Sequence, residues 1–270
     1  DIAGGFDTKL GLFGTMNPSD STDLSSFYII GCDDDNGITV GTSSTLYASG
    51  LTPGVTYYVG VDHYNGTTTG SFCVKVDSVT QAMIAPGSGS CVAFTETPYS
   101  REDYTGWATI VDGQGRLIAN VRRTAPSGSS SVYNYSGALT VNTAGLRNFD
   151  GKVYLDRNFS LNYSQSSAPT TFDLKLYFLN TELAALQVAE PTRTLADLNV
   201  IRQAGTSCAN NFNLTANTNS VLQQSANGTA NGVSWIQVNT PGFSNFYIAS
   251  GLNPLVIKLA DIHATNAGNR

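Results

Sequence analysis

Charged side chains are scarce in this 270-residue chain, and positive charge is the scarcer sign. Only 13% of the residues are Asp, Glu, Lys or Arg, against roughly 25% in an average soluble protein. The net charge is −6 and the pI is near 4.7. Because no basic stripe is available to neutralise phosphates, nucleic acid is excluded as a partner. No apolar run reaches the roughly 20 residues that a membrane-spanning helix needs, so we expect no direct membrane insertion.

Histidine is nearly absent, and this limits the catalytic chemistry that the chain can support. The two histidines are His63, beside a predicted turn, and His263, near the C-terminus. A Ser-His-Asp site needs an imidazole between nucleophile and acid, and no G-x-S-x-G motif occurs. The four glutamates do not fall at strand ends in an aromatic cleft pattern, although a pair of aspartates in one cleft stays an alternative. The composition therefore predicts a protein that is not an enzyme.

The chain has four cysteines but no C-x-x-C spacing, so a zinc site is not supported. An even number favours two structural disulfides formed in an oxidising compartment, and four buried thiols are the alternative. If each pair stays within one predicted domain, the expected disulfides are Cys32–Cys73 and Cys91–Cys208.

Helical periodicity is almost absent, and turn signals recur roughly every 8–15 residues along the chain. This spacing is typical of β-sandwiches and barrels. Residues 106–111 and 116–121 form the clearest hairpin, because the Asp112-Gly113 pair between them favours a tight turn. The pattern predicts an all-β fold of two tandem β-sandwich domains.

Strict alternation of apolar and polar residues marks one later strand. Its apolar members are Phe172, Leu174, Leu176 and Phe178, which we expect on a buried face. One or two short helices at most are predicted, the clearest over residues 182–186 before Pro191.

A Pro, Gly and Ser-rich stretch at residues 86–90 has the composition of a flexible linker. It places one domain at residues 1–85 and a second at 91–260, with residues 261–270 as a connector toward a missing C-terminal part. The chain opens abruptly at Asp1 beside a strand-like run, so we expect it to be part of a larger polypeptide.

Four motifs in the first segment occur in the order found in one bacterial domain family. They are F-D-T-K-L at 6–10, D-D-N-G at 34–37, L-T-P-G-V-T-Y-Y at 51–58 and G-S-F-C-V at 70–74. The segment thereby resembles a bacterial pre-peptidase C-terminal (PPC-like) domain, although the strand expected before Phe6 is missing or degenerate. The resemblance implies a small jelly-roll-like sandwich attached to secreted proteases, other enzymes or adhesins. It also implies occasional calcium binding and, in some members, binding of polymeric substrates.

The second segment resembles a β-sandwich module of large secreted proteins of the Bacteroidota. The matching pieces are G-W-A-T-I at 106–110, Y-L-D-R-N at 154–158, L-Y-F at 176–178, E-L at 182–183 and G-F-S-N-F-Y at 242–247. This resemblance implies export by the type IX secretion system and display on the cell surface. The sorting domain of such proteins lies at the extreme C-terminus and is not in this chain.

The densest group of hard oxygen ligands is the run Asp33, Asp34, Asp35 and Asn36, for which Asp7 is a candidate partner. Carboxylate and amide oxygens are the ligands that calcium prefers, so the run predicts a calcium site. Its spacing does not fit an EF-hand. The alternative is a solvated turn in which Asp and Asn bond the local backbone.

Aromatic residues are the remaining candidates for recognition. Trp107 and Trp235 stand among apolar strand residues, which favours core packing over surface binding. The tyrosines near predicted loops are the better surface candidates: Tyr64, Tyr99, Tyr104 and Tyr133.

Two functions fit these observations. The first is a non-catalytic extracellular module of a secreted or cell-surface protein, used for adhesin-type or gliding-type display or as a spacer. The second is an accessory module that binds carbohydrate or protein substrate for a secreted hydrolase. In both cases we expect the partner to be a surface ligand, polysaccharide or protein, that the sequence does not identify.

Overall fold

The computed structural model of the chain describes residues 2–4, 7–20, 22–34, 43–64, 70–96, 106–124, 134–164, 171–205, 214–215 and 218–251. Strands dominate it. The first strands are β1 (Ile2–Gly4), β2 (Thr8–Thr15), β3 (Phe27–Asp33), β4 (Tyr58–His63), β5 (Phe72–Val74), β6 (Val92–Glu96), β7 (Trp107–Val111), β8 (Leu117–Arg123) and β9 (Asn134–Val141). The later strands are β10 (Arg147–Phe149), β11 (Lys152–Ser164), β12 (Phe172–Leu179), β13 (Asn199–Gln203), β14 (Asn219–Leu222), β15 (Gln224–Ala230), β16 (Val233–Thr240) and β17 (Asn245–Ala249).

The helical elements are short. One α-helix, α1 (Asn180–Ala189), follows β12, and single 3-10 turns lie at Leu24–Ser26, Gln81–Met83 and Leu195–Asp197. The Glu182 carboxylate accepts a hydrogen bond from the Leu179 N–H at 3.0 Å and so caps α1. The all-β prediction is confirmed, and so is the helix before Pro191.

Two large sheets form the molecule. One has the strand order β15-β16-β12-β8-β7-β3-β2-β4, and the other the order β14-β13-β17-β11-β9-β6 with β10 beside β11. A two-stranded sheet joins β1 to β5. The ladders are antiparallel except between β3 and β7.

The main core lies between the two large sheets. Phe172, Leu174, Leu176 and Phe178 of β12 have no exposed surface, as the alternation predicted. They share one apolar cluster with residues of the seven-stranded sheet such as Phe159 and Phe246. Because β12 alternates strictly, its intervening side chains are sent to the opposite, outer face of the eight-stranded sheet.

The predicted hairpin is present as β7 and β8. The Asp112 carboxylate accepts hydrogen bonds from the backbone N–H groups of Gln114 and Arg116, at 2.9 and 3.0 Å, and the Gly115 N–H bonds the Asp112 carbonyl. Gly115 has a φ of +71°, which a glycine adopts at little cost. The turn chemistry therefore accounts for the position of the hairpin.

One sheet contains strands from both sides of the predicted linker. Gly31 of β3 pairs with Trp107 of β7, where a Cβ on Gly31 would lie 2.8 Å from the Trp107 carbonyl oxygen. The linker itself is hydrogen-bonded: the Val141 N–H donates to the Ser88 carbonyl at 2.8 Å. The domain boundary stays a prediction, and the eight-stranded sheet runs without interruption from one segment into the other.

Candidate functional site

The outer face of the eight-stranded sheet carries an aromatic and charged cluster, here called the indole face: Trp107, Arg122, Asp173, Lys175 and Trp235. Strand register brings these residues together. Asp173 of β12 lies opposite Arg122 of β8 on one side and Asn239 of β16 on the other. Lys175 is two residues further along β12, and Trp235 lies opposite the next outward residue, Tyr177. The two indoles therefore lie on either side of Lys175.

Lys175 is the central residue of the indole face and is only 5% exposed. Its ammonium nitrogen lies 4.4 Å from the ring centre of Trp107 and 4.8 Å from that of Trp235. An ammonium group over an indole is attracted by the negative face of the ring. This double contact helps to hold the two half-buried indoles in place.

The pKa of Lys175 is lowered to about 8, first by burial and then by the nearby Arg122 cation, while Asp173 opposes the shift. The amine is therefore still mainly protonated at neutral pH. The charged form is retained because the ammonium also donates to Ser49, to the hydroxyl oxygen at 2.9 Å and to the carbonyl at 3.3 Å.

Arg122 forms the second charged contact of the face. Its guanidinium lies 4.7 Å from the Trp107 ring centre and bonds the Asp173 carboxylate, which also accepts from the Asn239 amide at 3.2 Å. The Arg122 side chain is 37% exposed, compared with 13% for Asp173. Among the charged side chains of the face, that of Arg122 is therefore the one that solvent reaches most easily.

The segment 43–51 crosses the outer face beside this cluster and delivers Ser49. The Tyr47 N–H donates to the Thr109 hydroxyl at 3.2 Å, and the Asn120 amide donates to the Tyr47 carbonyl at 2.8 Å. Residues of β7 and β8 thereby fix the path of the segment, and Ser49 reaches Lys175 of β12.

Ser49, Lys175 and Tyr177 form a hydrogen-bonded group in which a serine hydroxyl lies beside a lysine amine. The Tyr177 hydroxyl donates to the Ser49 hydroxyl at 3.0 Å, and burial raises the pKa of Tyr177 to about 12. A serine beside a lysine can act as a nucleophile when the lysine is neutral and free to accept the proton. Here the ammonium contacts two indole rings and donates to the carbonyl of Ser49 itself. These contacts favour a structural role for Lys175, which holds Ser49 and the indoles in position, over a role in activating Ser49 as a nucleophile.

The sequence predicted core packing for both tryptophans, and the structure places them half-buried on the outer face. The prediction holds in part for Trp235, which packs against a small buried cluster that includes Tyr177 and Val233. The Trp235 ring lies against Gly228 of β15, where a Cβ would approach the indole to 2.7 Å. The sequence did not indicate Lys175 and Asp173 as site residues, although the alternation of β12 predicts that both point away from the core. Tyr64, a predicted surface residue, is 49% exposed and contacts Lys9, whereas Tyr99, Tyr104 and Tyr133 lie outside the described residues.

The predicted calcium ligands fall partly within the described residues. Asp33 is buried, and its carboxylate accepts the Thr45 N–H at 2.7 Å. Asp34 is also buried, Asp7 is half-buried, and Asp35 and Asn36 lie outside the described residues. Among the residues that the structure describes, no group of three His, Cys, Asp or Glu side chains is placed to hold a metal ion. The calcium site stays a prediction.

The predicted Cys32–Cys73 disulfide is wrong in this structure, where both residues are thiols. The reason is the topology: Cys32 lies in the eight-stranded sheet between Gly11 and Ala108, whereas Cys73 lies in the two-stranded sheet opposite Ala3. Cys91 is disulfide-bonded. Its predicted partner, Cys208, lies outside the described residues, so that pair stays a prediction.

Arg122 and Arg123 are neighbours in β8 but differ in exposure. Arg123 is only 3% exposed, because successive residues of β8 point to opposite faces of the sheet. Arg122 alone contributes to the indole face.

An apolar cavity of about 290 Å³ lies elsewhere, beside the edge strand β4. Leu10, Leu12 and Val59 supply its sheet side, and Lys75 and Asp77, at the rim, form an ion pair of 2.6 Å. Tyr47 and Ala48 also line the cavity, so it adjoins the segment 43–51 that crosses beside the indole face.

No family model, curated protein or solved structure matches this chain. The fold defines an all-β protein with sandwich-like packing of two large sheets. Within the described part of the chain, no helix is long and apolar enough to cross a membrane.

Proposed function

We propose that this chain is a non-catalytic binding module of a secreted or cell-surface protein, and that it binds its partner through the indole face. The single observation that supports binding is the position of Trp107 and Trp235 on an outer sheet face, each fixed by Lys175. Partly exposed indoles held in place lose little conformational entropy when a ligand arrives. Polymeric surface ligands, polysaccharide or protein, are the class of partner proposed.

An extracellular location is part of the proposal. The disulfide at Cys91 supports it, because such bonds persist in oxidising compartments and are rare in the cytosol. The weakly charged surface of Asn, Ser, Thr and Gly is in keeping with this location. The resemblances to a PPC-like domain and to type IX-secreted modules point the same way.

A display or spacer role in an adhesin-type or gliding-type protein is the second candidate. It is favoured by the parallel pairing of β3 with β7, which joins the two segments through one sheet. A unit of this kind resists bending between its parts and suits a stalk. The two functions differ in whether the isolated chain retains a ligand.

The test is a binding assay on the purified chain with insoluble cellulose, chitin, pectin and immobilised collagen. The Trp107→Ala and Trp235→Ala variants should lose retention, whereas Met16→Ala, a change at a residue 78% exposed and remote in sequence, should not. Retention that survives both tryptophan substitutions would overturn the site. A complete lack of retention on every polymer would favour the spacer role.

The non-catalytic part is tested separately. The chain should release no product from casein, p-nitrophenyl esters or p-nitrophenyl glycosides, and a fluorophosphonate probe should leave Ser49 unlabelled. Labelling that disappears in Ser49→Ala would show that the serine and Lys175 form a nucleophilic pair after all.

A further inference from the structure

The indole face differs in charge from the chain as a whole. The chain carries a net charge of −6, yet this face holds two cations, Arg122 and Lys175, and one carboxylate, Asp173. Arg122 and Asp173 form an ion pair whose charges cancel, so the ammonium of Lys175 gives the cluster a net charge of one positive unit. The face therefore presents a local excess of positive charge.

The two cations also act on each other. Arg122 lowers the pKa of Lys175, which means that each cation raises the energy of the other. A negative group placed beside the partly exposed Arg122 side chain would relieve this repulsion. Guanidinium N–H groups are well suited to carboxylates, because the planar fork matches the two oxygens.

The other side chains on the face suit sugar hydroxyl groups. Asn239 is exposed and lies opposite Asp173, and Gln237 is half-buried and lies opposite Lys175. Amide side chains both donate and accept hydrogen bonds, as hydroxyl groups require. The indoles at either end supply apolar surface for the C–H groups of a sugar ring.

We propose that the indole face binds an acidic polysaccharide, with a uronate carboxylate on the Arg122 guanidinium and the sugar ring against the neighbouring indole. This proposal rests on the proposed function and gives its ligand a chemical class. An acidic peptide would satisfy Arg122 equally well, but it would make no use of two indoles flanking a polar row. The combination of cation, amides and indoles favours the sugar acid.

The experiment measures affinity by isothermal titration for three soluble polymers: polygalacturonate, its fully methyl-esterified form and poly-glutamate. Polygalacturonate should bind most tightly, and its affinity should fall between low and high NaCl because the contact is between charges. Arg122→Gln should weaken polygalacturonate binding by about 10- to 100-fold, the cost of one charged hydrogen-bonded contact. Lys75→Gln, which removes one positive charge at an exposed ion pair away from the face, is the matched control and should change little.

Folding is checked by the thermal melt of each variant, and Arg122→Lys keeps the charge if the glutamine variant is unstable. The lysine variant should bind weakly but measurably, because a point charge replaces the planar fork. Equal affinity for the esterified polymer, or no effect at Arg122, would overturn the acidic class. If binding of the esterified polymer is lost in Trp107→Ala, the proposed function stands. No binding of any of the three soluble polymers overturns the inference, whereas the proposed function falls only if retention on cellulose, chitin, pectin and collagen is absent as well. Equal or tighter binding of poly-glutamate would replace the sugar by an acidic peptide and overturn the inference.

Discussion

Arg157, which has no exposed surface, donates two hydrogen bonds to the carboxylate of Glu182, at 2.7 and 3.2 Å. Its remaining terminal nitrogen donates to the Ala85 carbonyl at 2.7 Å. One guanidinium thus joins β11, the first turn of α1 and the residue that precedes the predicted linker. The pair fixes how these three parts of the chain meet.

Removing one partner of this pair should be costly. Glu182→Gln leaves a buried cation without its counter-charge, so the free energy of unfolding should fall by about 3–5 kcal/mol. Urea unfolding measures this, and the double variant Arg157→Met/Glu182→Met should lose less than the sum of the single changes. The exposed pair Lys152–Asp150 is the control, since Lys152→Met should cost less than about 1 kcal/mol. A loss at Glu182 no larger than this control would contradict the prediction.

The free energy of unfolding should be equally sensitive to substitutions in the core-facing row of β12. Leu174→Ala opens a cavity among fully buried neighbours and should cost about 2–5 kcal/mol. Leu24 is 79% exposed, so Leu24→Ala should stay within about 0.5 kcal/mol of the parent chain in the same urea titration. Similar losses at the two leucines would mean that the row is not packed as described.

The same row shows how far the sequence predicts the fold. A period of two requires only that one face be buried, so Phe172, Leu174, Leu176 and Phe178 could be placed without knowing their partners. The hairpin of β7 and β8 was equally local, because Asp112 bonds the backbone of its own turn. Both features depend on residues close together in the chain, and sequence patterns describe such features well.

Pairings between residues far apart in the chain could not be predicted from the sequence. No residue near Gly31 in the sequence indicates that β3 should lie parallel to β7. The Pro, Gly and Ser content of residues 86–90 predicted a flexible linker between two separate domains instead. The indole face was missed for the same reason: Lys175 meets Ser49 only because segment 43–51 crosses three strands. The error at Cys32 and Cys73 came from assuming that two cysteines of one predicted domain lie close enough to bond, whereas they lie in different sheets.

Calcium binding at the acidic run is tested by thermal melts with calcium and with a chelator. If Asp34 and its neighbours hold an ion, calcium should raise the melting temperature by mass action, and Asp34→Ala should abolish the shift. Asp20→Ala is the control, because the Asp20 carboxylate accepts hydrogen bonds from Thr22 within its own turn and should leave the calcium shift unchanged. Coinciding curves with and without calcium would mean that the run holds no ion and that the buried Asp33 carboxylate only accepts the Thr45 N–H.

Lys175 should give stability an unusual dependence on pH. The pKa of Lys175 is about 8 in the folded chain, and we take its ordinary value of 10.5 for the unfolded chain. Between these two pH values the unfolded chain therefore binds more protons than the folded chain. The cost of burying the charge is fully present below pH 8 and is relieved as the pH rises, so Lys175 makes the free energy of unfolding increase in this window. Urea unfolding of the parent chain and of Lys175→Met from pH 7 to about pH 9.5 isolates the effect, because the variant lacks the titrating group. The upper limit avoids the buried tyrosines, whose raised pKa values act in the opposite direction above about pH 10. The stability of the parent chain relative to Lys175→Met should therefore rise with pH, and two parallel curves would show that the amine of Lys175 keeps its ordinary pKa.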